Sequence, residues 1–184
     1  MRGSFNEKIY AFIDSQNLNL GLNKDLFKNG KKVYEGWNLD FSRFYIYLQN
    51  KFRIDKAYLF IGYIKKYENL YQYLRECGYE IIFKPTIKDK TGKAKGNVDA
   101  EIVLYVSAIL YRRFNKAVFV SGDGDFYCLY KFLEERNKLQ AILIPNKYTG
   151  SSLLNKFEEY KYFIYRDRKK LEKINGRRRT LSRR

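Results

Sequence analysis

"KAVFVSGDGDFYCLY" spans residues 116–130. Its opening, KAVFVS (116–121), is a short apolar run rich in residues that favour a buried strand. Its close runs into FYCLYKFLEERNK (126–138), which carries helical periodicity. Between them stand two aspartates separated by one glycine, Asp123 and Asp125. A strand that turns directly into a helix is the building block of an α/β sheet. The paired acids raise a second question, because the chain around them has a formal net charge of +17. Either they form an acidic turn that caps the following helix, or they are placed to hold something positive.

Working outward, the same alternation recurs. IYAFI (9–13), KAYLFIG (56–62), YEIIFK (79–84) and QAILIP (140–145) read as further buried strands, with YKYFIY (160–165) as a sixth candidate. FSRFYIYLQNKF (41–52) and ENLYQYLRECG (68–78) have helical periodicity, the second closed by Gly78. Residues 98–114 predict another helix, and SSLLNKFEEY (151–160) a short one. Strands that alternate with helices require crossovers between parallel neighbours. The expected fold is therefore an α/β three-layer, Rossmann-like domain with a mostly parallel sheet of five or six strands. It covers residues 1–165; residues 166–184 read as a basic, flexible tail. Residues 23–38 and 86–97 read as loops, and there is no internal repeat.

Composition narrows the chemistry. At 184 residues, with 45% hydrophobic and 18% aromatic content, the chain is long and apolar enough for one packed domain. No apolar run approaches the length of a bilayer span and no export leader is visible, so a cytoplasmic protein is expected. Cys77 and Cys128 fit no metal spacing and read as buried, reduced thiols. Histidine is absent, which excludes Ser-His-Asp and Cys-His catalysis and imidazole-bound zinc. The 37 Lys and Arg against 20 Asp and Glu call for a polyanionic partner, nucleic acid before an anionic membrane. Residues 166–184 hold ten basic and two acidic side chains, so more than half of the excess belongs to the body.

In an open α/β sheet, ligands bind outside the carboxyl ends of the strands. Asp14 follows the first strand in FIDSQN, and Asp123 and Asp125 follow the fourth. Asp99, in KGNVDAEIVLYVSAILYRR, begins a helical stripe continued by Val103, Val106 and Leu110, and so faces inward. Glu101 lies about 200° round that helix from Asp99 and points elsewhere. Taken singly, these acids also suit a helix N-terminus or a turn. Four of them converging in a chain short of acid point to a divalent cation, Mg²⁺ or Mn²⁺, with hard oxygen ligands. Acidic centre, basic surround and no histidine suit metal-assisted phosphodiester hydrolysis, in which the ion supplies the nucleophile at neutral pH.

FIDSQN, KGNVDAE and SGDGDF, in this order and on these elements, resemble the NYN domain, the LabA/DUF88 branch of the PIN-like nucleases. The resemblance spans roughly residues 8–165. It implies a PIN-type fold and Mg²⁺- or Mn²⁺-dependent ribonuclease activity. It places the site acids at Asp14, Asp99, Asp123 and Asp125, with Asn17 and Ser121 as supporting residues. Two departures stand out. Ser15 replaces a usual glycine, and Tyr105 and Val106 occupy a region where many relatives carry another acid, a change that disfavours a second ion.

Lys88, Lys90, Lys93 and Lys95, beside Asp99, are candidate phosphate contacts, as are Arg177, Arg178 and Arg179 in the tail. The leading expectation is an endoribonuclease acting on RNA at a four-aspartate site. The alternatives are an RNA-binding or adaptor protein of the same fold, and a deoxyribonuclease or phosphatase. Homodimerisation is compatible with such a domain, though no residue specifies it. GDGDF is not a GxGxxG dinucleotide fingerprint, and no GxxxxGK[ST] phosphate loop is present.

Overall fold

The structure, a computed structural model, describes residues 7–84, 87–88, 94–95 and 98–174. Strand β1 (Ile9–Asp14) runs directly into helix α1 (Ser15–Asn23). A hairpin of β2 (Leu26–Lys28) and β3 (Lys31–Tyr34) follows, then α2 (Phe41–Phe52) and β4 (Lys56–Gly62). Next come α3 (Glu68–Glu76), β5 (Tyr79–Lys84) and a two-residue pairing of β6 (Ile87–Lys88) with β7 (Ala94–Lys95). The second half contains α4 (Val98–Leu104), β8 (Lys116–Val120), α5 (Tyr127–Glu134), β9 (Leu139–Ile144), β10 (Lys161–Phe163) and α6 (Arg168–Leu171).

Six strands form one sheet in the order β10-β9-β8-β1-β4-β5, and every pairing in it is parallel. The chain starts at the centre, steps outward through β4 and β5, then returns to lay β8, β9 and β10 on the other side of β1. The direction of winding thus reverses between β1 and β8. That reversal opens a crevice at their carboxyl ends.

Strand alternation sorts the side chains to two cores. Ile9, Ala11 and Ile13 face a layer that includes α1, α2 and Leu74 of α3. Tyr10 and Phe12 face the layer of α4 and α5, where Phe12 packs against Phe114, Phe119 and Tyr58 at 5.4–5.7 Å between ring centroids. The phase continues to the strand ends. Asp14 falls on the Tyr10–Phe12 side of β1, and Lys84 on the Ile82 side of β5. The acids therefore emerge on the face covered by α4.

Several expectations are corrected. The helix from 98 gives way at Tyr105–Ile109 to a π turn, closed by the Leu110 N–H on the Tyr105 carbonyl at 2.8 Å. The buried stripe is Ile102, Val106 and Leu110, while Val103 is 38% exposed. Residues 152–160 are a 3₁₀ segment, kinked at Phe157, instead of an α-helix. The region 23–38 contains the β2–β3 hairpin. Cys128 is exposed and Cys77 half-buried, so neither is a fully buried thiol.

The chain also stays packed beyond residue 165. Leu171 is buried, its carbonyl accepts from the Asp40 N–H at 2.8 Å, and the Lys173 N–H bonds the Asn38 carbonyl at 2.8 Å. Arg168 makes a two-point contact with Glu172, both bonds at 2.9 Å. Residues 166–174 are thus held by the body. Arg177, Arg178 and Arg179 lie outside the described residues. No helix among the described residues is long and apolar enough to cross a membrane.

Candidate metal centre

The site is assembled at the strand ends by short local contacts. Asp14 is 5% exposed and caps α1, its Oδ1 accepting from the Gln16 and Asn17 N–H groups at 3.0 Å each. One turn on, Asn17 Oδ1 accepts from the Gly122 N–H at 2.8 Å, which ties α1 to the loop after β8. That loop is folded by its own side chains. Buried Ser121 accepts from the Asp123 N–H at 3.2 Å, and Asp123 Oδ1 accepts from the Asp125 N–H at 3.0 Å. The turn reading of the aspartate pair is therefore correct as local geometry, and it leaves both acids at the crevice.

Gly124 explains the second glycine of SGDGDF. A Cβ there would run into the side chain of Ser151, with the Ser151 Cβ only 2.9 Å away. Ser151 in turn donates its N–H to the Gly122 carbonyl at 2.9 Å. The segment after β9 is thereby drawn over the acidic loop. Asn146, fully buried, organises that segment: it donates to the Gly21 carbonyl and accepts from the N–H groups of Tyr148 and Thr149.

Carboxylate oxygens of Asp99, Asp123 and Asp125 all lie within 4.8 Å of one another. Asp14 is not in this closest triad, but it lines the same cleft, of about 460 Å³, with Asn17, Thr149, Asp99 and Asp123. Burial pushes the Asp99 carboxyl above the usual aspartate range, and the charges of Asp14, Asp123 and Asp125 push it further. Burial likewise raises Asp14, against the cap hydrogen bonds that favour its ionised form; the charge of Asp123 adds to the rise.

Lys84 was missed in the sequence. It is 8% exposed and ends β5. Burial lowers its ammonium below the ordinary lysine value, while the charges of Asp14 and Asp99 hold it up. A lysine ending YEIIFK reads as a solvated strand end. Only strand phase, one side chain beyond Ile82 on the same face, signals that it turns toward the acids.

Tyr130 was missed as well. Its ring is fully buried in α5, and its hydroxyl has no hydrogen-bond partner among the described residues. The charges of Asp14, Asp123 and Asp99 all reach it. An orphaned hydroxyl beneath a group of oxygen donors fits a site built for an ion and its water. The donor set, three carboxylates with a fourth beside them, suits a small hard divalent cation.

The apolar replacement at 105–106 is structural. Tyr105 packs edge-on against Phe60 at 5.5 Å, and Val106 is fully buried. Glu101, half-exposed, is not part of the triad. Lys88 and Lys95 lie in the β6–β7 pairing, but their side chains, like Lys90 and Lys93 entirely, lie outside the described residues.

An acidic crevice at the switch point of a parallel, doubly wound sheet defines a Rossmann-like domain of the PIN type. The sequence matches the NYN domain over residues 8–165, and the chain belongs to that family of PIN-like nucleases, which generally depend on divalent metals. A solved structure of a Vibrio parahaemolyticus protein of unknown function is similar at 25% identity, with a TM-score of 0.69. The similarity covers 89% of this chain and 96% of that one. No curated relative matches the chain.

Proposed function

We propose that this protein is an endoribonuclease that hydrolyses RNA phosphodiester bonds with the help of Mg²⁺ or Mn²⁺. The observation that carries the reading is the convergence of Asp99, Asp123 and Asp125 within 4.8 Å in a chain of net charge +17. Those three carboxylates would hold the ion, with Asp14 completing the four-aspartate site. When bound, such an ion neutralises charge on the phosphate and makes a nucleophile available at neutral pH. Asn17 and Ser121 fix the loop that presents Asp123 and Asp125. Lys84 holds positive charge beside Asp14 and Asp99, where it offsets the repulsion among the acids. Lys88, Lys90, Lys93 and Lys95 and the arginines at 177–179 would grip the RNA backbone without reading its sequence.

A second reading, an RNA-binding protein without activity, is favoured by one feature: apolar Tyr105 and Val106 stand where many relatives carry an acid. Incubation of labelled single-stranded RNA, hairpin RNA and single-stranded DNA with Mn²⁺, Mg²⁺ or EDTA separates the two. We expect metal-dependent RNA cleavage that the Asp99→Asn/Asp123→Asn variant loses while keeping its fold by circular dichroism. Salt-sensitive binding with no cleavage in any lane would install the second reading.

A further inference from the structure

A second depression, about 730 Å³, adjoins the acidic cleft on the other side of α1. Gln16 and Leu20 line both, and Lys84 stands at the boundary, with the acids on one side and this groove on the other. The floor is apolar and buried, made by Leu59, Tyr71 and Leu74. The wall from α3 and the turn before it is apolar yet open: Ile64, Tyr67 and Leu70 are 40%, 41% and 38% exposed. The opposite wall, from α1, is polar and presents Ser15, Gln16 and Asn19. Lys65 and Lys66 are exposed beside it, and the Lys66 ammonium sits 5.0 Å from the Tyr67 ring centroid.

A nucleobase has that same combination of apolar faces, a hydrogen-bonding edge and an attached anionic backbone. We propose that this groove takes an unpaired base of the RNA strand whose phosphate lies in the acidic cleft. The base packs on Tyr67 and Leu70 and turns its edge to Gln16 or Asn19, while Lys84, Lys65 and Lys66 follow the backbone. Continuity with the acidic cleft selects a nucleic acid as the occupant, and the need for a free base selects a single strand. A paired base is held in its stack, and its release must be offset before it can enter such a pocket. The inference rests on RNA being the ligand of the acidic cleft, and it makes the preferred substrate single-stranded.

The test is a binding measurement that needs no cleavage. In an Asp123→Asn background with EDTA, fluorescence anisotropy follows a short fluorescein-labelled single-stranded RNA, the same RNA with one abasic nucleotide moved along it, and an RNA duplex. The exposed pair Tyr67→Ala/Leu70→Ala should weaken single-strand binding by about 5- to 150-fold, the range of base–aromatic stacking. It should leave duplex binding unchanged. One abasic position should mimic that loss in the parent and add nothing in the variant. Ile46→Ala, 51% exposed and outside the groove, should have no effect. Unchanged single-strand affinity, as expected if the groove holds a peptide, would overturn the proposal. So would equal weakening of single strand and duplex, or tolerance of abasic nucleotides at every position. If wild type cleaves RNA while the groove variants bind normally, the groove assignment alone fails. If the groove variants lose binding but wild type never cleaves, the catalytic reading alone fails.

Discussion

Asp14 and Asp99 hold their protons more tightly than free aspartates do, because burial and neighbouring carboxylates disfavour their charge. Between the unfolded value, about 3.9, and these raised values, the folded chain binds more protons than the unfolded one. The stability of the metal-free protein therefore falls as pH rises through that window. Asp99→Asn removes one charge at nearly constant shape. It should raise the melting temperature of EDTA-treated protein at neutral pH by on the order of a few degrees. Added Mn²⁺ should stabilise wild type more than the variant, because the proposed ion would be held by the intact triad. Scanning calorimetry with and without the ion reads both effects; a lower melting temperature for Asp99→Asn in EDTA would mean that attraction to Lys84 outweighs carboxylate repulsion. The acids were legible because three of them directly follow apolar strands. Lys84, Tyr130 and Asn146 were not, because each acquires its role from strand register and loop packing, which no local pattern encodes.

The elements themselves follow from periodicity, and the misreadings have local causes. The stripe Asp99, Val103, Val106 and Leu110 takes the i+4 neighbour of Asp99, whereas the buried one is the i+3 neighbour Ile102, and the regular period then breaks in a π turn at Tyr105–Ile109. The hairpin at 26–34 hid among lysines and glycines that read as loop. The packing of residues 166–174 was missed for a similar reason. RDRKKLEK looks like solvated charge, yet it carries one leucine, and Leu171 is 1% exposed in the same core as Phe44 and Leu48. A protein ending at residue 165 loses that leucine together with the backbone bonds of Leu171 to Asp40 and Lys173 to Asn38. It should be destabilised by at least about 2–5 kcal/mol, the range for deleting a buried leucine side chain. A protein ending at residue 174 should unfold at the full-length urea midpoint. Equal midpoints for all three lengths would show that α6 contributes no stability.

For the whole molecule, charge and fold divide the work between position and affinity. The sheet brings the acids to one crevice, where like charges repel an approaching phosphate unless a cation intervenes. The surrounding excess of Lys and Arg supplies long-range attraction, steep in salt and indifferent to sequence. The five arginines beyond residue 174 lie outside the described residues, and in the proposed function they are assigned to the attraction. Removing them should therefore leave the site's chemistry unchanged while weakening its hold on the substrate. With Asp123→Asn in both chains, the slope of log affinity against log salt for single-stranded RNA should become shallower on truncation after residue 174. The limit is about 3.5, since each phosphate neutralised on a single strand contributes about 0.7. Cleavage by the truncated wild type at saturating RNA should match that of the full chain, with the whole loss in the concentration needed to saturate. An unchanged slope would place the grip in the body. A fall in saturated rate would instead mean that the tail helps to position the scissile phosphate, and so reaches the crevice itself.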